Sequence, residues 1–220
     1  VTEDKLSGCW PILDIRLAVG QIVLDPLRER DLDELARLLP DDVEQDPEAP
    51  IWEQLDAVGN RHRILLQSYW RSHADWSPTS WALHFRVSEN GESVGVQVLE
   101  GEHFPELRTV DSASWLVPNA RGRGIGVAMR TAVLALAFDH LGAATAVTSA
   151  REDNAASLGV SRRIGYVDNG ISRSLSPTGP CTLIHMLLTR ERWSSSGLGS
   201  AVAASGLDGT APWFGVEVTP

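Results

Sequence analysis

The stretch Ser114-Trp-Leu-Val-Pro-Asn-Ala-Arg-Gly-Arg-Gly-Ile-Gly126 holds the residue types in this chain best suited to chemistry. Glycines at 122, 124 and 126 let the backbone approach a ligand closely and turn its N–H groups inward. The residues beyond Gly124 read as a helix, whose first turn adds free N–H groups and the positive end of its dipole. Together these make an anion site fit for a pyrophosphate. Arg121 and Arg123 add guanidinium forks that match phosphate oxygens. Other glycine loops fit less well. A Walker loop ends in Gly-Lys-Ser/Thr, whereas Ile-Gly-Val follows Gly124 here. A dinucleotide fingerprint read from Gly122 requires its third glycine at position 127, where Val127 stands.

Other reactive residues are sparser. Asp111 lies just upstream of the loop, with Ser112 and Ser114 following on the same predicted strand. Glu100 and His103 come after an earlier strand, where they can border an acceptor cleft. His62 and His73 lack a third ligand nearby in sequence, so no metal site is expected. Cys181 and His185 sit four residues apart on one predicted strand, ~13 Å, too far to act as a nucleophile and base. Cys9 and Cys181 make neither a disulfide framework nor a zinc cage, which fits a reducing cytoplasm.

Three phrases in register carry a resemblance to a known family. Arg121-Gly-Arg-Gly-Ile-Gly126 resembles the Arg/Gln-x-x-Gly-x-Gly/Ala acyl-CoA loop of the GNAT superfamily of N-acetyltransferases. Asn154-Ala-Ala-Ser157 and Gly165-Tyr166 are similar to that superfamily's Asn-x-x-Ala/Ser and Gly-Phe/Tyr elements. The layout from about Ile22 to Trp193 is most similar to the branch of ribosomal-protein N-terminal acetyltransferases. The Trp10-Pro11, Val110–Leu116 and Ser161–Tyr166 phrases look like an actinobacterial subgroup that binds succinyl-CoA.

The resemblance implies a fold, a donor and a set of roles. The fold is α/β (α+β): a mixed, mostly antiparallel twisted sheet flanked by helices, with two strands splayed at the acyl-CoA site. Acetyl-CoA, or alternatively succinyl-CoA, is the implied co-substrate, and no metal is needed. Leu116 and Val117 would offer backbone groups to pantetheine. Arg121, Gly122, Arg123, Gly124, Ile125, Gly126 and Val127 would hold the pyrophosphate, and Asn154 and Ser157 the pantetheine arm. Asn154 can also serve as a plain helix cap. Asp111 falls where some relatives place a glutamate base, acting directly or through water, and Ser112 and Ser114 can orient the amine. The tyrosine many relatives use as the thiolate's acid is Ser161 here. The acid is therefore Ser161 relaying through water, or no dedicated group; Tyr166 is expected to pack at a strand start. The implied activity is direct acyl transfer to a primary amine, a small molecule or a peptide N-terminus. An acyl-CoA-binding module without catalysis is the alternative from a different class.

The elements expected to position these residues emerge from hydrophobic periodicity. A strand is predicted over Ile22–Leu27, then a helix capped by Asp31 with Glu34 three residues on. A second helix is expected over Ile51–Trp70, from Ile51, Leu55, Val58, Leu65, Leu66 and Tyr69. Trp81, Leu83, Phe85 and Val87 alternate as a strand, Asn90-Gly91 signals a hairpin turn, and Val94, Val96 and Val98 resume the alternation. A strand over 111–117, a helix over 124–140 and a buried strand over 144–150 come next. A helix then runs from Asn154 to Ile164 with Gly165 as its stop, and a last strand over 182–189. Residues 1–193 are read as one catalytic domain. Residues 194–220, rich in Ser, Gly and Ala, are read as a flexible tail, apart from Trp213-Phe214, which suit docking.

Composition sets the outer bounds. The 220 residues are 43% hydrophobic and 22% charged, enough for a sizeable core without staples. No apolar run approaches the ~20 residues of a membrane helix, and the stretch from Val1 to Trp10 lacks the pattern of a secretory signal. The net charge of −10 is concentrated. From Asp31 to Asn60 there are ten acidic residues against the single base Arg37, while Arg108 to Arg192 holds ten arginines. This argues against general nucleic-acid binding and suits a cationic acceptor in front of an anionic ligand, or else a solvated acidic helix pair. Neither a membrane nor a nucleic-acid partner is expected; a homo-oligomer is compatible with the pattern.

Overall fold

The computed structural model describes residues 8–44, 49–176 and 179–217. Among them the chain forms nine strands and six α-helices, in an order set by the alternation and glycine punctuation of the sequence. A hairpin opens the fold: β1 (Arg16–Val19) turns at Gly20 into β2 (Ile22–Pro26). Two helices come next, α1 (Leu32–Leu38) and α2 (Ala57–Ala74). The long hairpin β3 (Trp81–Glu89) and β4 (Glu92–Gly101) turns at Asn90-Gly91, both with positive φ as a tight primed turn requires. One turn of helix, α3 (Phe104–Leu107), leads into β5 (Thr109–Leu116). Then come α4 (Ile125–Ala135), β6 (Thr145–Arg151), α5 (Ala155–Ile164), β7 (Val167–Ser176), β8 (Gly179–Thr189), α6 (Arg190–Ser196) and β9 (Ala203–Ser205).

The strands make one sheet in the order β7-β8-β6-β5-β4-β3-β2-β1-β9. Every pairing is antiparallel except β5 with β6, which is parallel and consists of two rungs, Thr109↔Thr145 and Val110↔Ala146. Above Val110 the two strands part, while β5 stays paired to β4 from Asp111 to Leu116. The sheet is thus open along one edge of β5. The expected splay lies there.

Alternation sends side chains to two cores. Leu83, Phe85, Val87 and Leu99 pack with α4 in the larger one. Val96 and Val98 pack on the opposite face with Leu27, Leu32, Leu35 and Tyr69 from the α1/α2 side. Helix α4 is buried on nearly all sides, from Met129 through Ala135, so it needs cover on its outer surface as well as from the sheet. That cover comes from the C-terminal segment. Trp193 is buried and donates from Nε1 to Asp139 Oδ1 at 2.8 Å.

Three expectations are corrected. Residues expected as a flexible tail are built into the fold: β9 pairs with β1, and Phe214 is wholly buried among Trp76 and Trp81. The expected docking of Trp213-Phe214 is therefore seen, in a segment whose Ser and Gly content masks its order. The second helix begins at Ala57, not Ile51. Asn60 ties its side chain to the backbone of Trp52, Leu55 and Asp56, holding a turn ahead of the helix, and Asp56 caps Gly59. Ile51, Leu55 and Val58 consequently face solvent. Asp31 does not cap α1; its carboxylate accepts the Arg28 N–H at 3.0 Å, closing the preceding turn.

Phe214→Ala should lower the unfolding free energy by about 3–5 kcal/mol, since it empties a fully buried aromatic site. Urea denaturation with an unchanged slope is the measurement. A loss below about 1 kcal/mol would mean that the C-terminal segment contributes little to the core.

Candidate functional site

The glycine loop forms where β5 ends. Gly122 and Gly124 adopt φ of 71° and 85°, left-handed values that favour glycine. Gly126 serves a different purpose, close packing: a Cβ there would lie 3.2 Å from Val160 Cγ2, where α4 crosses α5, and Val160 would have to yield by a few tenths of an ångström. Helix α4 starts at Ile125 after Gly124, which provides no side-chain cap, so the N–H groups of Ile125 and Gly126 open onto the loop while Val127 donates to the Gly124 carbonyl. Ile125 is buried and Val127 half-buried beneath them.

Both loop arginines hold carboxylates. Arg121 forms a two-bond fork with Asp42, at 2.5 and 2.8 Å, and donates from Nε to the Leu116 carbonyl at 2.9 Å. Arg123 donates to Glu89 at 2.8 Å. The guanidinium of Arg121 holds the Asp42 carboxyl below the usual carboxylate range. Arg151, at the end of β6, pairs with Glu44 and Asp153. The acidic stretch after α1 thus reaches over the loop, and Arg61 of α2 secures it by donating to the carbonyls of Pro40 and Val43. Other acids of the stretch serve structure: Asp33 pairs with Arg37 on α1, and Asp56 caps α2. Asp46 and Glu48 lie outside the described residues.

The open edge of β5 offers backbone groups in alternation. Val117 donates its N–H to Val94 of β4 at 2.9 Å, so the N–H groups of Leu116, Ser114 and Ser112 point the other way, to the open edge. Of these, Ser112 N–H is taken by its neighbour Asp111, at 2.6 Å from Oδ1. Leu116 and Val117, both expected to offer backbone groups, differ in what they leave unengaged. The Val117 N–H is spent on β4, its carbonyl accepts from Ala120, and the groups left on the edge belong to Ser114 and Leu116.

The side chains of β5 divide by face. Ser112 and Ser114 lie on the α4 side, opposite Leu99 and Gln97, with Ser112 buried and Ser114 exposed. Asp111 lies on the α1/α2 side directly opposite Glu100. The protein packed around Asp111 raises its carboxyl pKa, against the Ser112 N–H and the charges of Arg130 and His185. The same crowding raises Glu100, and the Asp111 charge adds to it. His84 of β3, on that face, is pushed down to about 4 by burial and by His73.

Two residues of α5 and its cap are engaged within the helix. Ser161 is buried, and its hydroxyl donates to the Ser157 carbonyl inside α5, so its proton is committed to the helix. Asn154 Oδ1 accepts the Ser157 N–H at 3.0 Å as a helix cap, leaving its amide nitrogen outward. Tyr166 is buried at the start of β7, as expected, but its hydroxyl lies against Arg130 and Ser112 without a well-aligned hydrogen bond. Arg130 Nε and Nη1 and Ser112 Oγ also lack partners among the described residues. Burial pushes the Tyr166 hydroxyl up to about 12, so it stays protonated as a donor. Sequence reading passes over Arg130 because the apolar stripe of its helix is read from Ile125, Met129, Ala132, Val133 and Leu136, whereas the fold buries the neighbouring faces as well. His185 bonds Ser172 at 2.7 Å and does not meet Cys181. Among the described residues no group of three or more His, Cys, Asp or Glu is placed to hold a metal ion, and no helix is long and apolar enough to cross a membrane.

A family model for the acetyltransferase (GNAT) domain matches residues 21–167. Among solved structures, Mycobacterium smegmatis RimJ in complex with CoA-disulfide superposes with a TM-score of 0.65 at 18% identity, over 85% of this chain and 96% of that one. RimL, a ribosomal L7/L12 alpha-N-protein acetyltransferase in complex with coenzyme A, gives 0.63 at 16%, over 79% and 97%. Mutant forms of the Vibrio cholerae spermidine/spermine N-acetyltransferase SpeG give 0.61 at 14%, over 81% and 99%. At these identities the likeness carries the fold: a mixed α/β layer with a mostly antiparallel sheet.

The depressed pKa of His84 has a consequence for stability. The unfolded chain binds this proton near the ordinary value of 6.5 and the folded chain only near 4. Stability from this group is therefore complete above about pH 6.5 and declines as pH falls toward 4. Histidine ring NMR should place the His84 titration near 4, and His84→Phe should flatten that part of the stability profile; a midpoint near 6.5 would contradict the burial.

Proposed function

We propose that this chain, which belongs to the GNAT acetyltransferase family and is an acyltransferase of that class, moves an acyl group from a coenzyme A thioester directly onto a primary amine. The observation that carries this reading is the open edge of β5 running up to a glycine loop on the N-terminus of α4. A pyrophosphate on that loop places a pantetheine arm along the edge. There the N–H groups of Ser114 and Leu116 hold its amides, and the amide nitrogen of Asn154 faces it from α5. Arg121, Arg123 and the backbone N–H groups of Gly122–Gly126 neutralise the phosphates, the Val127 N–H being donated to the Gly124 carbonyl. Asp42 and Glu89 compete for the two arginines, so added salt weakens both sets of contacts.

The acyl carbon then sits beside the lower half of β5. Attack by an amine needs a deprotonated nitrogen, which a carboxylate at that end of the strand supplies, and a donor for the oxyanion. The leaving thiolate is stable enough to depart without a dedicated acid, in keeping with the commitment of Ser161 inside α5. Acetyl-CoA is the donor in this reading. The acceptor is a small amine or a peptide N-terminus. RimL is an α-N-protein acetyltransferase and SpeG a polyamine acetyltransferase, so both classes occur among chains of this fold.

A second donor is favoured by one specific observation. Arg130, Tyr166 and Ser112 are buried together behind β5 with unpartnered donor atoms. Buried donors of this kind call for an acceptor, and a carboxylate at the end of a succinyl chain is one.

Calorimetry with CoA, and thiol release with acetyl- and succinyl-CoA against spermidine and a short peptide with a free α-amine, test these readings. Arg123→Glu sets a carboxylate beside Glu89 and should weaken CoA binding about tenfold or more, ~1.4 kcal/mol, with little change in the acceptor KM. Unchanged CoA affinity would remove the loop from the donor site. Arg130→Met should reduce turnover of succinyl-CoA more than of acetyl-CoA if the second donor is right; equal effects would return Arg130 to a packing role.

A further inference from the structure

Within that acyl-transfer reading, we propose that Glu100, and not Asp111, takes the proton from the acceptor ammonium, with Asp111 as its charged partner across the strand pair. Register is the first ground. Glu100 on β4 and Asp111 on β5 are direct partners in an antiparallel ladder, so their Cβ atoms lie on one face, about 4.5–5.5 Å apart. Like charges placed so disfavour each other. Among the described residues neither carboxylate forms an ion pair. Elsewhere the sheet does otherwise: Asp25 of β2 is offset by Arg16 and Arg86.

The two carboxylates differ in support. Asp111 accepts a 2.6 Å hydrogen bond from the Ser112 N–H and feels the positive charge of Arg130 from α4 and of His185 from β8 when that imidazole is protonated. These favour its charged form. Glu100 has none of them. Its neighbour across β3 is Ala82, and His84 two residues further along β3 is uncharged at neutral pH. From α2 the groups on this side are Tyr69 and His73, and beyond the end of β4 lie Glu102 and His103. With Asp111 ionised first, Glu100 is the member that holds a proton more tightly, and so is the stronger base.

Position completes the case. Asp111 is the first residue above the last β5/β6 rung, at the foot of the open edge, and Glu100 stands beside it with its side chain reaching solvent. An ammonium entering from the α2 side meets both carboxylates. Glu100 takes one N–H proton and becomes a carboxylic acid, leaving a neutral amine. The nitrogen lone pair forms the C–N bond at the thioester carbon, the C–S bond breaks, and its electron pair leaves on sulfur. A second nitrogen proton passes through water to the thiolate, giving the amide and free CoA thiol, and Glu100 returns its proton to solvent. A cationic primary amine is the acceptor class this pair selects.

Glu100→Gln, Asp111→Asn and Glu100→Asp should be compared by kcat/KM against pH, with acetyl-CoA and spermidine or a peptide α-amine, alongside CoA affinity by calorimetry. Glu100→Gln is expected to lower kcat/KM by about 10²–10⁴-fold with CoA affinity unchanged, and Glu100→Asp to recover part of the loss. Asp111→Asn should cost less and move the acidic limb to lower pH, because Glu100 loses the neighbouring charge that raises its pKa. Carboxyl NMR of the wild type should show Glu100 titrating above Asp111. Near-wild-type kcat/KM in Glu100→Gln, or titration in the reverse order, overturns the assignment alone. A wild-type protein that binds CoA yet acylates none of these amines overturns the acyl-transfer reading and this assignment with it.

Discussion

Two rungs of parallel pairing between β5 and β6 decide what this sheet can do. A parallel strand pair normally runs on for as long as both strands last, because each unpaired N–H left in a protein interior is costly. Here the ladder stops at Val110 and Ala146 although both strands continue. The parting leaves an edge in the middle of a nine-stranded sheet, where edges are usually absent, and gives it an orientation through the Val117 bond to β4. The glycine loop at the top of that edge and the carboxylate pair at its foot have meaning only because the edge lies between them. Helix α4, buried almost all round, fixes the upper end: its N-terminus cannot shift without disturbing the larger core.

Charge is arranged around this edge by reciprocity. The sequence separates an acidic N-terminal stretch from an arginine-rich later half, and the fold brings the two together at Arg121–Asp42 and Arg151–Glu44. Within the acidic stretch, Asp31, Asp33 and Asp56 are thereby tied to its own helices and turns, and Asp42 and Glu44 to Arg121 and Arg151. Glu100 and Asp111, which form no ion pair among the described residues, sit on strands outside that stretch.

Much of this is legible in the sequence, and the boundary has physical causes. The β3/β4 hairpin can be read because Asn90-Gly91 fixes register locally, and α4 and α5 because glycines and Asn154 punctuate them. The glycine loop announces itself for the same reason, through the left-handed backbone at Gly122 and Gly124 that favours glycine. The opposition of Glu100 and Asp111 cannot be read. It depends on the register across the β4–β5 connection, which passes through α3 and two left-handed residues, His103 and Arg108, with no turn signature. Ser161 looks like a free hydroxyl in the sequence, and only the α5 geometry shows it bonded back to Ser157. The C-terminal segment misleads because composition reports what a segment can bury by itself. Its Phe214 and Trp213 are packed by others, against Trp10, Trp76 and Trp81.

The pairing of β9 with β1 bears on how the chain is made. Arg16 and Ser205 are partners, so strands far apart in the sequence must find each other before that side of the sheet is complete. On the ribosome the chain emerges at roughly 5–20 residues per second. The β1/β2 and β3/β4 hairpins have local contacts and can form early, whereas α4 exposes an almost wholly apolar surface from its synthesis until Trp193 and the segment beyond it arrive. The interval is short but real, and during it α4 is the surface a chaperone would bind. A chain assembled in this order acquires its glycine loop late, because the helix that positions the loop is held in place by residues synthesised well after it.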